Sequence, residues 1–451
     1  MKRTFYLVIL SLLYAYTAHA QMTARVVRDS LFIPWEITWG PDDHIWFTQK
    51  NGYICRMEPT SGHIDTLYHE PEVVIQGEGG MLGLALHPNF PTPPFVYVAY
   101  DYMNGSTYTA KVVKYQYDAT NNKLINPQGL IANIGAANYH NGCRLMMEGN
   151  YLYITTGDAT NPSVAQDVTK VNGKILRVVQ DGSIPADNPM PGSMLWSWGH
   201  RNPQGVVYAN NRFYETEHGP DNDDEVNIIQ KGRNYGWPNV EGYCDKPAEL
   251  TFCTDSNVVE PLKAWTPTIA VCGLDYYDHP MFPTLQKSLI MCTLKDSSLY
   301  QLKLNGTLDG ISSASKINAV HYGRLRDLCI SPDGRIFIST SNSDASGNTN
   351  RIDKIIELYD PSFNSVKQLA ANNFLKIIPN PVTDLCTIHV NDIANRTLTY
   401  KIVNAIGETI ASGSLEHTDT PLATTGWTPG LYFIQLRNER GTIATAKIIR
   451  Q

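Results

Sequence analysis

The side chains able to do chemistry in this chain gather into four short polar clusters. YHNG at 139–142 centres on His140, whose imidazole has an unperturbed pKa close to neutrality and so suits a general base. WGHRNPQG at 198–205 offers Arg201 and Asn202. HGPDNDDE at 218–225 crowds four carboxylates into residues 221–225 and continues through NYGWP (234–238) to EGYCD (241–245). Neighbouring carboxylates repel unless a cation holds them, and hard oxygen ligands in a glycine- and proline-flanked loop point to Ca²⁺. The fourth cluster is cationic: Lys295, and RLRD at 324–327 with Arg324 and Arg326. With Arg201 these make four positive charges in three separate connections. In a chain of net charge −7 that convergence implies a small ligand with several negative charges, because Arg forks grip carboxylates with paired hydrogen bonds. Taken singly, each cluster also fits an ordinary surface loop.

Other chemistries are excluded by what the chain lacks. Its glycine cluster, GEGGMLG at 77–83, fails the G-x-G-x-x-G spacing and runs into LALHPNF, which reads as a strand rather than a helix, so a dinucleotide fold does not follow. There is no Walker loop, no H-E-x-x-H and no G-x-S-x-G. The acidic balance argues against nucleic acid or an anionic membrane as a partner. Eight cysteines form no C-x-x-C pair, and Cys244 with Cys253, in one loop, is the first candidate disulfide.

One pattern recurs along the chain: a turn rich in Pro, Asp, Gly or Asn, then a strand of β-branched and aromatic residues. It reads GPDDHIWFTQ at 40–49, EGNYLYITTGD at 148–158, ANNRFYETEHG at 209–219 and SPDGRIFISTSN at 331–342, with looser copies at 93–100 and 287–294. Six copies at intervals of roughly 50 to 75 residues suit six propeller blades of four short strands each. A β-sandwich would also show short strands and turns, but near-copies separated by almost the whole domain favour radial repetition. The connections between such strands build the mouth of a central channel, where the four clusters then meet.

The ends carry separate signals. Lys2 and Arg3, an apolar run from Phe5 to about Tyr16 and a small-residue exit at Ala18-His19-Ala20 read as a signal peptide over residues 1–20, too short to anchor in a bilayer. The propeller is expected over 21–360, a linker over 361–375 and a compact β-sandwich over 376–451. That last segment resembles the C-terminal sorting domain of type IX secretion cargo, through Asn380-Pro381 at its start, Gly430-Leu431-Tyr432-Phe433 before a late strand, and a basic end in Lys447 and Arg450. The resemblance implies export and a contact with secretion machinery, with the protein secreted or held at the outer surface.

Over residues 28–357, GEGGMLGLALHPNF, HNGCRL, GHRNPQG, EHGPDNDDEVN, NYGWPNVEGY and GRLRDL together resemble the soluble PQQ-dependent glucose dehydrogenases and the wider glucose/sorbosone dehydrogenase family of six-bladed propellers. The resemblance implies oxidation of an aldose or related polyol with PQQ and Ca²⁺, electrons leaving to an external acceptor. It makes His140 the base at the sugar hydroxyl and Arg201 the partner of the quinone oxygen. Glu78, Asn202, Lys295, Arg324 and Arg326 become cofactor contacts. The carbonyls of Gly219 and Pro220 become ligands of the cofactor's calcium, and Glu225 and Asp245 with the carbonyls of Tyr235 and Glu241 ligands of a structural calcium. Two positions depart from the glucose enzymes: Glu78 replaces a Gln, and Tyr139 replaces the Asp that orients the imidazole, which leaves His140 with no carboxylate partner visible in its own motif. Residues 265–277 match the substrate-contacting loop poorly and leave the sugar open. The rival readings are a Ca²⁺-dependent lactonase-type hydrolase, which keeps its metal in the channel, and a non-catalytic propeller that binds glycans or proteins.

Overall fold

The computed structural model describes residues 21–346, 350–363, 375–390, 398–438 and 441–451; the signal-peptide segment and most of the expected linker lie outside them. The chain is all-β. Six four-stranded antiparallel sheets follow one another at 34–69, 81–135, 142–198, 203–265, 271–317 and 325–359, here called blades 1 to 6. The first strand of each blade packs on the first strand of the next, and that of blade 6 packs on that of blade 1, so the sheets form a closed six-bladed propeller. Blade 6 takes its outer strand, Thr23–Leu31, from the chain's beginning, pairing antiparallel with Asp353–Tyr359. Closure of this kind leaves no open end to the ring of blades.

The six recurring segments are all the second strand of a blade. Ile45–Gln49, Phe95–Asn104, Tyr151–Thr156, Arg212–Glu217, Ser288–Thr293 and Ile336–Thr340 each lie between two partners, and most are buried on both faces. Neighbouring blades stack face to face, so both sides of such a strand need apolar or hydrogen-bonded side chains; Trp46 of blade 1, for instance, meets Phe90 and Tyr117 of the blade 2 region edge-on at 5.2 and 5.1 Å.

The innermost strands carry the feature that builds the site. In every blade the pairing of first and second strand slips once near its start, between Pro34 and Ile37, Met81 and Leu84, Gly142 and Leu145, Pro203 and Gly205, Val271 and Leu274, and Leu325 and Asp327. A bulge inserts an extra residue and re-aims its side chain. The strands also converge closely: a Cβ on Gly83 would lie 2.2 Å from the Cys143 carbonyl oxygen, so glycine alone fits there. Residues inside these slips include Glu36, Arg144, Gln204 and Arg326.

Arg144 ties them together. Its guanidinium is buried, with Nη1 at 2.8 Å from Glu36 of blade 1 and 2.8 Å from Asp327 of blade 6, and Nε donates to the Gln204 carbonyl of blade 4 at 2.6 Å. Asp327 also accepts the Ile37 amide at 2.8 Å, and the Trp35 ring covers the guanidinium at 4.4 Å. Burial pushes the Glu36 and Asp327 carboxyls above their ordinary range while Arg144 pulls them back.

After the propeller, strands from Leu375 to Arg450 form a three-stranded and a four-stranded sheet around a shared core that includes Ile388, Ile402 and Ile434. The hairpin at Gly407 joins Leu398–Asn404 to Thr409–Leu415. Cys244 and Cys253 form a disulfide, and the other six cysteines are free and buried.

Replacing Arg144 with Met leaves Glu36 and Asp327 facing one another without a counter-charge. The expected loss is about 3–5 kcal/mol of unfolding free energy at neutral pH, read by urea denaturation, and it shrinks toward pH 5 as the two acids protonate. An unchanged midpoint would show that the axis does not depend on this cation.

Candidate active site at the channel mouth

The sequence-predicted residues sit at one end of the propeller, where the inner strands begin. Glu78 precedes the strand Met81–Leu86, His140 precedes Gly142–Glu148, Arg201 and Asn202 precede Pro203–Ala209, and Arg324 precedes Leu325–Ile330. Lys295 lies just past the end of Ser288–Thr293. Arg326 is inside its strand rather than in a loop, a correction to the sequence reading; the bulge at 325–327 carries it into the buried channel wall.

His140 has a left-handed backbone, φ 62°, and its amide reaches Glu78 Oε2 at 3.3 Å. A non-glycine residue held there is uncommon and signals a local constraint. The constraint is visible in the ring: Nδ1 lies 2.8 Å from Oδ1 of Asp158, a carboxylate with no exposed surface. Paired with a carboxylate, Nδ1 carries the proton and Nε2 is left as the acceptor, without a hydrogen-bond partner among the described residues. The imidazole therefore has an orienting carboxylate, but from another segment. Tyr139, the position expected to supply it, is 55% exposed instead.

Asp158 uses both oxygens. Oδ1 also accepts the Thr160 amide at 2.8 Å, and Oδ2 accepts Nε1 of Trp237 at 2.9 Å. The glycine cluster holds the other side of the base. Gly79 packs so tightly that a Cβ there would sit 2.1 Å from the Tyr108 hydroxyl and 2.4 Å from Asp101, and Asp101 binds both the Gly80 amide and Asn141. These glycines serve close packing, not phosphate binding.

The cations converge on the same mouth, and several of their donors have no acceptor. Nε of Arg201, Arg324 and Arg326 and Nδ2 of Asn202 are all buried without a hydrogen-bond partner. Arg201 donates Nη1 to the His218 carbonyl at 3.1 Å and lies over the Trp237 ring at 5.3 Å. Arg326 is better occupied, by Gln204 Oε1, Ser341 and Asp344 at 3.1, 3.3 and 3.1 Å. Asp344 is shared with Lys50, a buried cation that sequence reasoning overlooked, at 2.6 Å. The Arg324 side chain has no hydrogen bond or ion pair among the described residues. Lys295 is exposed and reaches only Thr268, at 3.0 Å. Between Arg201 and Arg326, burial and the two cations push the His218 ring down to about 4, so it stays neutral, with Nε2 bonded to the Val271 carbonyl at 2.7 Å.

The acidic loop divides its labour differently from the sequence expectation. Asp224 is satisfied by backbone: its oxygens accept the amides of Gly219, Ile269 and Ala270 at 2.9, 2.7 and 2.5 Å. It anchors the Gly219-Pro220 turn and needs no cation. Asp223 takes the Thr266 hydroxyl at 2.7 Å. Beneath the turn, a small cavity is lined by the acids Glu217, Asp223, Glu225 and Glu241, by Gly219, Pro220 and Tyr235, and also by Arg201 and Trp237. Burial and the neighbouring Glu217 push the Glu225 carboxyl up to about 8. Asp245 is exposed and does not line this cavity.

Asp158, Trp237, Lys50 and His218 also stand at this mouth, and sequence reasoning gave them no role. A signal existed for three of them. Superposing the six recurring segments puts Lys50, Asp158 and His218 at or just past the end of a second strand, the same rim position that Lys295 occupies.

Comparison with known proteins gives the family. Residues 31–351 match the Glucose / Sorbosone dehydrogenase family, and residues 376–451 match the Secretion system C-terminal sorting domain. The chain is 30% identical to the aldose sugar dehydrogenase YliI of Escherichia coli over 362 residues, covering 76% of this chain and 96% of that protein. It is 35% identical to quinoprotein glucose dehydrogenase B of Acinetobacter calcoaceticus over 254 residues, 49% of this chain and 53% of that one. The structure of the PQQ-bound aldose sugar dehydrogenase from Streptomyces coelicolor superposes with a TM-score of 0.64 at 29% identity, covering 75% of this chain and 98% of that one.

Proposed function

The chain belongs to the glucose/sorbosone dehydrogenase family of quinoprotein oxidoreductases and carries a secretion sorting domain, and from that premise we propose that it oxidises an aldose or related polyol with PQQ and Ca²⁺ and passes the electrons to an external acceptor. The observation that carries the reading is the set of buried donors on Arg201, Asn202, Arg324 and Arg326 that have no acceptor, placed beside a histidine whose Nε2 is free. Buried polar groups are almost always paired. Donors left open together suit a planar ligand with several carboxylates, and the PQQ of the Streptomyces coelicolor relative has that chemistry.

PQQ, when bound, supplies the quinone that accepts two electrons from the sugar. Arg324, Arg326, Lys295 and Asn202 would bind its carboxylates and ring oxygens, while Glu78 holds the His140 amide. Arg201, with its open Nε–H, would stabilise the negative charge that develops on the quinone. His140 takes the proton of the sugar hydroxyl at Nε2, while Asp158 stabilises the imidazolium through Nδ1.

Calcium fits the oxygen donors of the acidic loop. The carbonyls of Gly219 and Pro220, in the turn that Asp224 anchors through the Gly219 amide, would hold the cofactor's ion, which would add Lewis-acid stabilisation of charge. Glu225, with the carbonyls of Tyr235 and Glu241, would hold the structural ion; Glu217 lines the same cavity but is already bound to His200 Nδ1 at 2.8 Å, and Asp245 stands outside it. The hydrolase alternative needs a calcium at the axis, but the axial carboxylates Glu36 and Asp327 are committed to Arg144. We assign residues 21–360 to catalysis and 376–451 to sorting by the secretion machinery, which takes the protein to the outer surface or beyond.

Four experiments test this reading. Purified protein titrated with PQQ in Ca²⁺ should bind it, and Arg324→Ala, which breaks no side-chain hydrogen bond or ion pair among the described residues, should weaken binding by about 1.5–3 kcal/mol at a nearly unchanged melting temperature. His140→Asn should keep PQQ but lose turnover by roughly 10² or more. Wild-type protein that takes up no PQQ would overturn the proposal. Chelation should lower the melting temperature, with Ca²⁺ restoring it better than Mg²⁺, which tolerates irregular oxygen cages poorly; a melt indifferent to chelator removes the structural ion. Deleting residues 364–451 should leave dye-linked sugar oxidation intact while the host retains the protein in its periplasm, and export of the truncated chain would refute the sorting role.

A further inference from the structure

Trp237 touches both halves of the site from a different blade, and nothing in the chemistry above uses it. Its indole Nε1 donates to Asp158 Oδ2 at 2.9 Å, on the carboxylate whose other oxygen holds His140 at 2.8 Å. The face of the same indole lies 5.3 Å from the Arg201 guanidinium. The ring cannot easily drift, because its backbone is pinned at both polar atoms. The Trp237 amide donates to the Gly199 carbonyl at 3.0 Å, and its carbonyl accepts Gln166 Nε2 at 2.6 Å.

Resting on the reading of His140 as the base, we infer that Trp237 is a positioning residue whose indole N–H, acting through Asp158, sets the orientation and proton affinity of that base. Asp158 has no exposed surface, so without the indole Oδ2 would be left without a side-chain donor. His140 and Asp158 belong to blade 3, whereas Trp237 comes from the blade 4 loop that also carries Tyr235 and Glu241. The base is thus aligned across a blade boundary, by the same loop proposed to hold calcium.

The direction of the effect follows from the charges around the ring. Asp158 faces His140 from the end of the second strand of blade 3, Glu78 reaches its amide from the hairpin ahead of blade 2, and Arg201 lies beyond Asp158 at the start of blade 4. Donation by the indole spreads the Asp158 charge and weakens its pull on Nδ1–H. Removing that donor makes Asp158 a stronger acceptor and raises the proton affinity of the imidazole. Glu78 and Arg201 stay in place, so the shift reports on the indole alone.

Trp237→Phe keeps the aromatic face toward Arg201 and deletes only the indole ring's N–H donor. In PQQ- and Ca²⁺-loaded enzyme, turnover should fall roughly 5- to 20-fold, a part of what a general base supplies, with KM nearly unchanged. The acid limb of turnover against pH should move up by about half a unit or more, and Asp158→Asn, which removes the anion, should move it down. A Trp237→Phe enzyme with wild-type turnover and limb overturns the inference while His140→Asn stays inactive; full turnover in His140→Asn overturns the underlying base assignment instead. Should the Phe variant fail to fold, holoenzyme labelled with ¹⁵N-tryptophan gives a second readout. One indole N–H resonance should titrate with the midpoint of the kinetic limb and stop titrating in His140→Asn, and indole signals flat across that range overturn the inference.

Discussion

The Arg144 guanidinium sits where six inner strands converge, and the propeller is organised around its neutralisation. Glu36 and Asp327, its two partners, come from the first and the last blade, so the charge balance at the axis is complete only when the ring has closed. A buried cation lacking either partner would cost several kcal/mol, which makes the ion triad a condition on closure more than a source of net stability. The outer strand Thr23–Leu31 completes blade 6 at the rim, and Arg144 completes the ring at the centre.

The repeated bulge makes that centre possible and also builds the mouth. An unbroken strand would send alternate side chains into the flanking blades; one extra residue near its start turns a side chain toward the axis or the mouth instead. Arg144, Gln204 and Arg326 occupy this position in three blades, and each links to another blade. The structural centre and the candidate site are successive layers of one construction. Arg326 belongs to both, since it lies 5.6 Å from the Trp35 ring that covers Arg144.

The mouth is electrostatically unfinished in a way that suits its proposed work. Lys50 and Arg326 share Asp344, but among the described residues the guanidinium groups of Arg201 and Arg324 have no acid in direct contact, and burial pulls both below their ordinary range. Desolvated donors already aimed at one place need little reorganisation when an anion arrives or when charge develops on a bound ring. The proposed base is finished by contrast, with Asp158 held through both oxygens by the protein itself.

The sequence by itself determined the repeat, the class of fold, the motifs at the mouth and the separate terminal module. The six recurring segments are the blades' second strands because those strands are sandwiched between partners and between blades, and so tolerate the narrowest range of residues. Motif residues such as His140, Arg201 and Arg324 were legible because each opens an inner strand next to a glycine- or proline-marked turn. Tertiary structure alone decided who partners whom. Asp158 stands 18 residues from His140 and Trp237 stands 79 from Asp158, so no local spacing announces either bond. The four carboxylates at 221–225 read as one anionic cluster, yet the fold gives Asp224 to backbone amides, Asp223 to a hydroxyl and Glu225 to a buried cavity. A side chain's charge is a property of the sequence; whether that charge meets a donor, another charge or a vacancy depends on which blades close around it.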